Sequence, residues 1–182
     1  MLSRIMIVGT SGAGKTTLAR TLSKRLSLHD IELDALFWNP HWQESSLEDF
    51  RKKITSEIEA HERFVIHGNY SKVRDLTWSK CDTLIWLDYS KPVVMWRVIK
   101  RSILRIITRE KLWSDNRESF YKTFFSKDSI IRWSWTTFDS RKKQNAEWLA
   151  APENAHLKVL HFTSPQQTSQ WLDTLSSETS LN

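Results

Sequence analysis

A single cysteine, Cys81, is present among 182 residues, with only four glycines and four prolines. One thiol excludes an internal disulfide, and a reducing cytoplasm is the simplest expected location. No run approaches the roughly 20 apolar residues that cross a bilayer, so no membrane partner is expected. The first residues, Met1-Leu-Ser-Arg-Ile-Met-Ile-Val8, lack the length and cleavage signal of a secretory leader. Internal repeats, low-complexity tracts and dividing linkers are missing, which predicts a single domain over 1–182. Nothing reads as a helix-turn-helix or a zinc module.

What is present is ordinary globular material, 40% hydrophobic and 26% charged. The formal charge of +6 favours anionic partners: nucleotides, phosphorylated metabolites or nucleic acid. Ten tryptophans are scattered along the chain, as core and pocket wall would require.

Hydrophobic periodicity predicts alternating strands and helices. Strands are expected at Ser3–Val8, His29–Asp34, Phe64–His67, Thr83–Asp88 and Leu157–Phe162. Helices are expected at Gly14–Leu26, from Ser45 or Ser46 to His61, Pro92–Arg109, Ser129–Ala150 and Pro165–Ser176. That order predicts an α/β fold with a mostly parallel sheet covered on both faces.

Three of the four glycines fall within six residues, Gly9-Thr10-Ser11-Gly12-Ala13-Gly14, followed by Lys15, Thr16 and Thr17. This matches G-x-x-x-x-G-K-[ST] between a predicted strand and a predicted helix. Glycines let successive N–H groups turn toward phosphate oxygens, and the helix N-terminus adds partial positive charge. Lys15 is placed for the β- and γ-phosphates, and Thr16 offers a hydroxyl to Mg²⁺. ATP and Mg²⁺ are therefore the expected cofactors, held by Gly9 through Thr17.

Ligands of such sheets lie at the C-terminal strand ends. Asp34 is expected there, where it could orient an acceptor hydroxyl, take its proton or hold Mg²⁺ through water; a helix cap is the blander alternative. Trp38 and Trp42 follow as aromatic wall. Asn69 and Tyr70 follow the third strand, with Arg74 one turn on, and complete the expected small-molecule acceptor site. Asn69 could equally be only a turn residue. Arg97, Arg101, Arg105 and Arg109, four apart, form one helical stripe, with Met95, Ile99, Ile103 and Ile106 on the packing face. The stripe could clamp transferring phosphate, be solvated, or meet nucleic-acid phosphates. Arg117 lies in an aperiodic stretch, about 110–128, that could close as a lid. Catalytic roles are thus expected of Lys15, Asp34, Arg101, Arg105 and Arg117.

The cradle, Leu33-Asp34 with Trp42 beyond it, Gly68-Asn69-Tyr70, Leu84-Ile-Trp-Leu-Asp88 and Asn116-Arg117-Glu118 together resemble the adenylate-kinase-like P-loop proteins. Within these, they are most similar to the branch known as DNA topology modulation proteins. The similarity runs from about residue 4 to 150. It implies a five-stranded parallel sheet with helices on both faces, a Mg·ATP donor, a mobile lid, and transfer to a nucleotide, nucleoside or small metabolite. The branch name implies a DNA-associated regulator instead, with DNA as a partner. The resemblance also implies an acid just before Gly68, where it helps hold hydrated Mg²⁺. Here His67 stands in that position, and a histidine supplies no negative charge to a hard cation. Either Asp34 or Asp88 takes over, or catalysis is weak.

Overall fold

A computed structural model describes residues 2–116, 123 and 129–179. Its centre is a five-stranded parallel sheet in the order β2-β5-β1-β6-β7. The strands are β1 (Arg4–Gly9), β2 (His29–Glu32), β5 (Phe64–His67), β6 (Thr83–Leu87) and β7 (Lys158–Phe162). Every residue of β5 and β6 is buried, the continuous run expected of strands covered on both faces.

The alternation of β1 separates two cores. Ile5 and Ile7 join Leu18, Ala19 and Leu22 of α1 (Lys15–Leu26) on one face. Met6 and Val8 join Phe50 and Ile54 of α3 (Leu47–Ala60) on the other. Phe50 is 1% exposed, and full burial of such a side chain contributes roughly 1.5–3 kcal/mol. α3 starts where Ser46 Oγ accepts the Asp49 N–H at 3.1 Å, an N-cap.

The second strand is shorter than the sequence predicts. β2 ends at Glu32, and α2 (Leu33–Phe37) begins at once. Asp34 therefore lies in the first turn of a helix and not on the strand. Leu33 forces this: it is fully buried, and a Cβ on Gly68 (φ +140) would lie 2.7 Å from its Cβ. Only a glycine at 68 lets Leu33 turn in so close. A two-stranded antiparallel hairpin, β3 (Trp38–Asn39) with β4 (Gln43–Glu44), follows and has no clear signal in the sequence.

α4 (Arg74–Trp78) links β5 to β6, and α5 (Lys91–Thr108) runs from β6 past the glycine cradle. α5 packs through Val94, Met95, Val98 and Ser102. Ile103, expected on the packing face, is exposed, because the contact face is set by where the cradle and α6 (Ile130–Leu149) lie. α7 (Pro165–Thr179) covers the last strand. Among the described residues no helix is long and apolar enough to cross a membrane.

Candidate active site: a phosphate cradle facing an aromatic hairpin

β1 runs into the cradle at Gly9, and α1 starts at Lys15. All four glycines of the chain have positive φ. Gly12 is tightly enclosed: at φ +86, an added Cβ would lie 2.6 Å from Val98 Cγ2 and 2.7 Å from the Val94 carbonyl oxygen. The loop is thus pressed against α5, which leaves no room for any other residue.

Lys15 Nζ donates to the carbonyl oxygens of Gly9 at 2.8 Å and Thr10 at 3.2 Å. Enclosure lowers its pKa to about 8; the Asp34 carboxylate opposes that shift, and Arg101 and Arg141 add to it. Asn69 Nδ2 donates to the same Gly9 oxygen at 2.7 Å. Gly9 and Thr10 therefore sit behind the cavity wall and brace the loop, while Ser11 through Thr17 line the cavity. Arg97 Nη1 donates to the Ala13 carbonyl at 3.2 Å, and Arg101 Nη2 reaches Ser11 Oγ at 3.3 Å. Arg97, Arg101 and Arg105 all line the cavity, so three of the four striped arginines face it. Arg109 ends the helix exposed.

Thr16 Oγ1 lies 3.4 Å from His67 Nδ1. His67 is 1% exposed, and its Nε2 stands 3.1 Å from Asp30 Oδ1, out of line for a hydrogen bond. Asp88 cannot replace the acid expected at 67. It pairs with Lys142 at 2.9 Å and His161 at 3.1 Å, outside the cavity. Glu32 is the carboxylate that does line the cavity there, in register with His67 across β2 and β5. Sequence reasoning missed it by running β2 two residues too far.

Opposite the cradle, Tyr70 Oη donates to Asp34 Oδ1 at 2.5 Å. Burial first, then the Asp34 charge, holds the Tyr70 hydroxyl well above the usual phenol range, so it stays a donor. Phe37 packs on Tyr70 at 4.8 Å between centroids and on Trp38 at 5.0 Å. Trp38 meets Trp42 at 5.5 Å, and Trp42 meets Trp113 at 6.4 Å. Asn116, 5% exposed, fastens this wall. It accepts the Trp42 N–H at Oδ1 and donates from Nδ2 to the carbonyls of Asn39 and Trp113, each at 2.9 Å. Ser114 Oγ donates to the Trp38 carbonyl at 2.8 Å.

Cradle and hairpin enclose one cavity of about 1890 Å³. Single small-molecule pockets usually measure roughly 300–1,000 Å³, so two ligands fit. Asp34, Trp38, Trp42, Asn69 and Tyr70 all line it. Arg74 does not. Its guanidinium stacks 4.2 Å over the Trp148 ring and 5.6 Å from that of Trp78, neither of which lines the cavity. Arg117 and most of the 110–128 stretch fall outside the described residues. Arg141 lines the cavity from α6, stacked 4.3 Å over Trp133, with no local motif to mark it. Burial lowers its pKa, an effect that the nearby Tyr70 offsets in part.

The donor set suits a metal-bound polyphosphate: a glycine cradle at a helix N-terminus, one lysine, several inward arginines, a threonine hydroxyl and a neighbouring carboxylate.

Many solved structures share the fold, among them three kinases. A shikimate kinase from Bacteroides thetaiotaomicron superposes with a TM-score of 0.56 at 15% identity, covering 99% of each chain. A sugar kinase from Janibacter sp. HTCC2649 gives 0.52 at 17%, covering 97% of this chain and 95% of that one. A gluconokinase from Sinorhizobium meliloti 1021 gives 0.50 at 14%, covering 98% and 96%. At such identities the likeness establishes a P-loop kinase-like fold. No curated protein matches the sequence significantly. The family model AAA_18, an AAA domain, matches residues 5–102, which is more than half of the chain and contains the cradle, Glu32, Asp34, His67, Arg97 and Arg101; the chain belongs to that AAA domain family.

Proposed function

We propose that this protein is an ATP-dependent phosphotransferase acting on a small hydroxyl-bearing acceptor, in the class of nucleotides, nucleosides or small metabolites. The observation that carries the reading is a carboxylate and a phosphate cradle facing each other across one cavity, with Asp34 close enough to influence Lys15. A hydrolysis switch or a simple binding module has no need of a second, aromatic-walled compartment.

Mg·ATP, when bound, supplies the γ-phosphoryl group. The 11–15 amides and Lys15 would hold the phosphates, with Lys15 exchanging its two loop carbonyls for phosphate oxygens. Thr16 would ligate Mg²⁺, and Glu32 would take the place of the acid absent at His67. Arg97, Arg101, Arg105 and Arg141 would neutralise charge on the equatorial oxygens, where fixed cations cost no reorganisation. Asp34 Oδ1 is held by Tyr70, which leaves the other carboxylate oxygen to take the acceptor's proton as its oxygen bonds to phosphorus and ADP departs. Trp38, Trp42 and Trp113 would exclude water around that oxygen. The reading as a DNA-associated regulator has less support, since three of the four stripe arginines that would meet DNA phosphates line the cavity.

The test is single-turnover transfer at saturating ATP, across a magnesium series, with a panel of hydroxyl acceptors. Asp34→Asn is expected to lower acceptor-dependent ADP formation on the order of a hundredfold, with Mg·ATP affinity within a few-fold of wild type. Partial rescue by excess Mg²⁺ would assign Asp34 to the metal. An unchanged rate at every magnesium concentration would overturn the proposed role.

A further inference from the structure

The opposite end of β2 from Glu32 carries a second cluster. β2 starts at His29, roughly 10 Å along the strand from the cavity edge. The His29 amide donates to the Arg63 carbonyl at 3.0 Å, which draws the turn after α3 across the start of the strand. That turn holds His61, four residues after Glu57, and side chains at that spacing share one helical face. The result is two imidazoles stacked face to face, 3.4 Å between centroids and 4° between planes, with the Glu57 carboxylate beside them. Glu57 Oε2 lies 2.8 Å from His29 Nε2. One ligating atom from each of the three residues falls within 4.8 Å of the others.

We infer that His29, Glu57 and His61 form a binding site for a divalent transition-metal ion, with zinc as the leading occupant. Three observations carry this beyond proximity. The first is the tautomer of His61. Its Nδ1 lies 2.9 Å from the Glu57 backbone oxygen, which can only accept, so Nδ1 carries the proton and Nε2 keeps its lone pair. A hydrogen bond from the other ring nitrogen to a carbonyl is the usual outer-shell support of a metal-bound imidazole.

The second is distance. Ligand atoms about 2.0–2.2 Å from one ion stand roughly 2.9–3.5 Å apart. His29 Nε2 and Glu57 Oε2, 2.8 Å apart, stand just under that spacing, and all three ligand atoms lie within 4.8 Å of one another, so small side-chain adjustments bring them to one ion. The third is accessibility. His29 and Glu57 each keep about a third of their side-chain surface open, so an ion can enter and retain water at its remaining positions. Two nitrogens and one oxygen suit Zn²⁺, Co²⁺, Ni²⁺ or Cu²⁺ and not Mg²⁺, which demands oxygen. The cluster is therefore no second version of the site at Thr16.

The ion would tie the C-terminal end of α3 to the start of β2. Farther along α3, Phe50 packs on Phe37 and Tyr70 of the aromatic wall, so the ion braces the helix behind the acceptor side. This inference stands apart from the phosphotransferase reading and needs no turnover to test.

The experiment uses untagged, chelator-stripped full-length protein without nucleotide. ZnCl₂ is titrated by calorimetry, CoCl₂ is followed by its visible absorption, and melting is recorded with and without zinc. One equivalent is expected to bind with a Kd of about 10 µM or tighter, the scale for three protein ligands, and to raise the melting temperature. His61→Ala, His29→Ala and Glu57→Gln should each weaken that binding by about tenfold or more and abolish the cobalt band near 500–600 nm, on the order expected for loss of an inner ligand. Thr16→Ala should leave it unchanged. Should His29→Ala not fold, Glu57→Gln at its partly exposed site supplies the same comparison. A wild-type Kd weaker than about 100 µM, or tight binding that survives both Glu57→Gln and His61→Ala, would overturn the assignment.

Discussion

The two walls of the cavity are built on opposite principles. The cradle side is local: Gly9 to Thr17 is one unbroken stretch, and its lysine folds back on its own loop. The hairpin side is assembled from distant pieces. Tyr70 reaches Asp34 across 36 residues, and Asn116 reaches Trp42 across 74. A local device fixes what it binds by backbone geometry, which many sequences share only in one form. A wall gathered from afar can change its ligand whenever one contributor changes. On the proposed reading, the donor side would therefore be general and the acceptor side particular.

The two walls should also fail differently. The largest effect is expected from Lys15→Ala. Wild type with Mg·ATP at 100 times its Kd should gain about 2.7 kcal/mol of stability, and the variant should lose nearly all of it. Thermal melting with and without Mg·ATP decides this; a full ligand-induced shift in the variant would break the donor assignment.

Next in size is the paired replacement Arg101→Ala with Arg105→Ala. Both side chains line the cavity, and Arg101 reaches the cradle at Ser11. Phosphoryl transfer should fall more than about tenfold with circular dichroism unchanged. Wild-type rates would reduce the arginine stripe to solvated surface.

Asn116→Ala sharpens the contrast from the other side. It strips partners from the Trp42 N–H and from the Asn39 carbonyl, at a cost of about 1–3 kcal/mol in unfolding free energy. Acceptor KM should rise several-fold while the Kd for Mg·ATP stays put. Equal losses on both substrates would mean that the two walls are one mechanical unit.

The smallest expected effect is a pH dependence confined to the donor wall. Lys15 has its pKa lowered to about 8 without ligand, and phosphate binds its charged form. Mg·ATP affinity should be flat below that value and weaken above it, by about fourfold at pH 8.5, as the free protein loses the proton that the complex needs. Calorimetry over pH 7 to 9 in buffers of differing ionisation heat checks the sign. Lys15→Arg, which does not titrate there, should flatten the profile.

The difference between the walls also explains what was legible beforehand. The five strands and the long helices follow from apolar periodicity, and a serine start at Ser45 or Ser46 was readable too; the structure selects Ser46, whose hydroxyl satisfies a backbone donor three residues away. Asp34 was rightly placed in the cavity for a wrong reason. The strand stops at Glu32, and it is Leu33 packing against Gly68 that turns the chain. Arg74 looked like a site residue because it follows Tyr70 closely, yet Trp148, 74 positions on, takes its guanidinium. Nothing near Arg74 in sequence records that competitor.

By itself, the sequence determined the sheet with its helices and the phosphate cradle. Both depend on interactions between residues a few positions apart: the period of burial, and cradle glycines at φ +153, +86 and +98, beyond the left-handed values that side chains adopt. Only the tertiary structure decided that Glu32 and not Asp88 is the cavity-lining carboxylate beside His67, and that three arginines of α5 turn inward. It also decided that Arg141 joins them and that His29 stacks on His61. Those outcomes rest on which strand ends meet and which helix faces pack. Such choices minimise exposed apolar surface over the whole chain, and no short window of residues contains them.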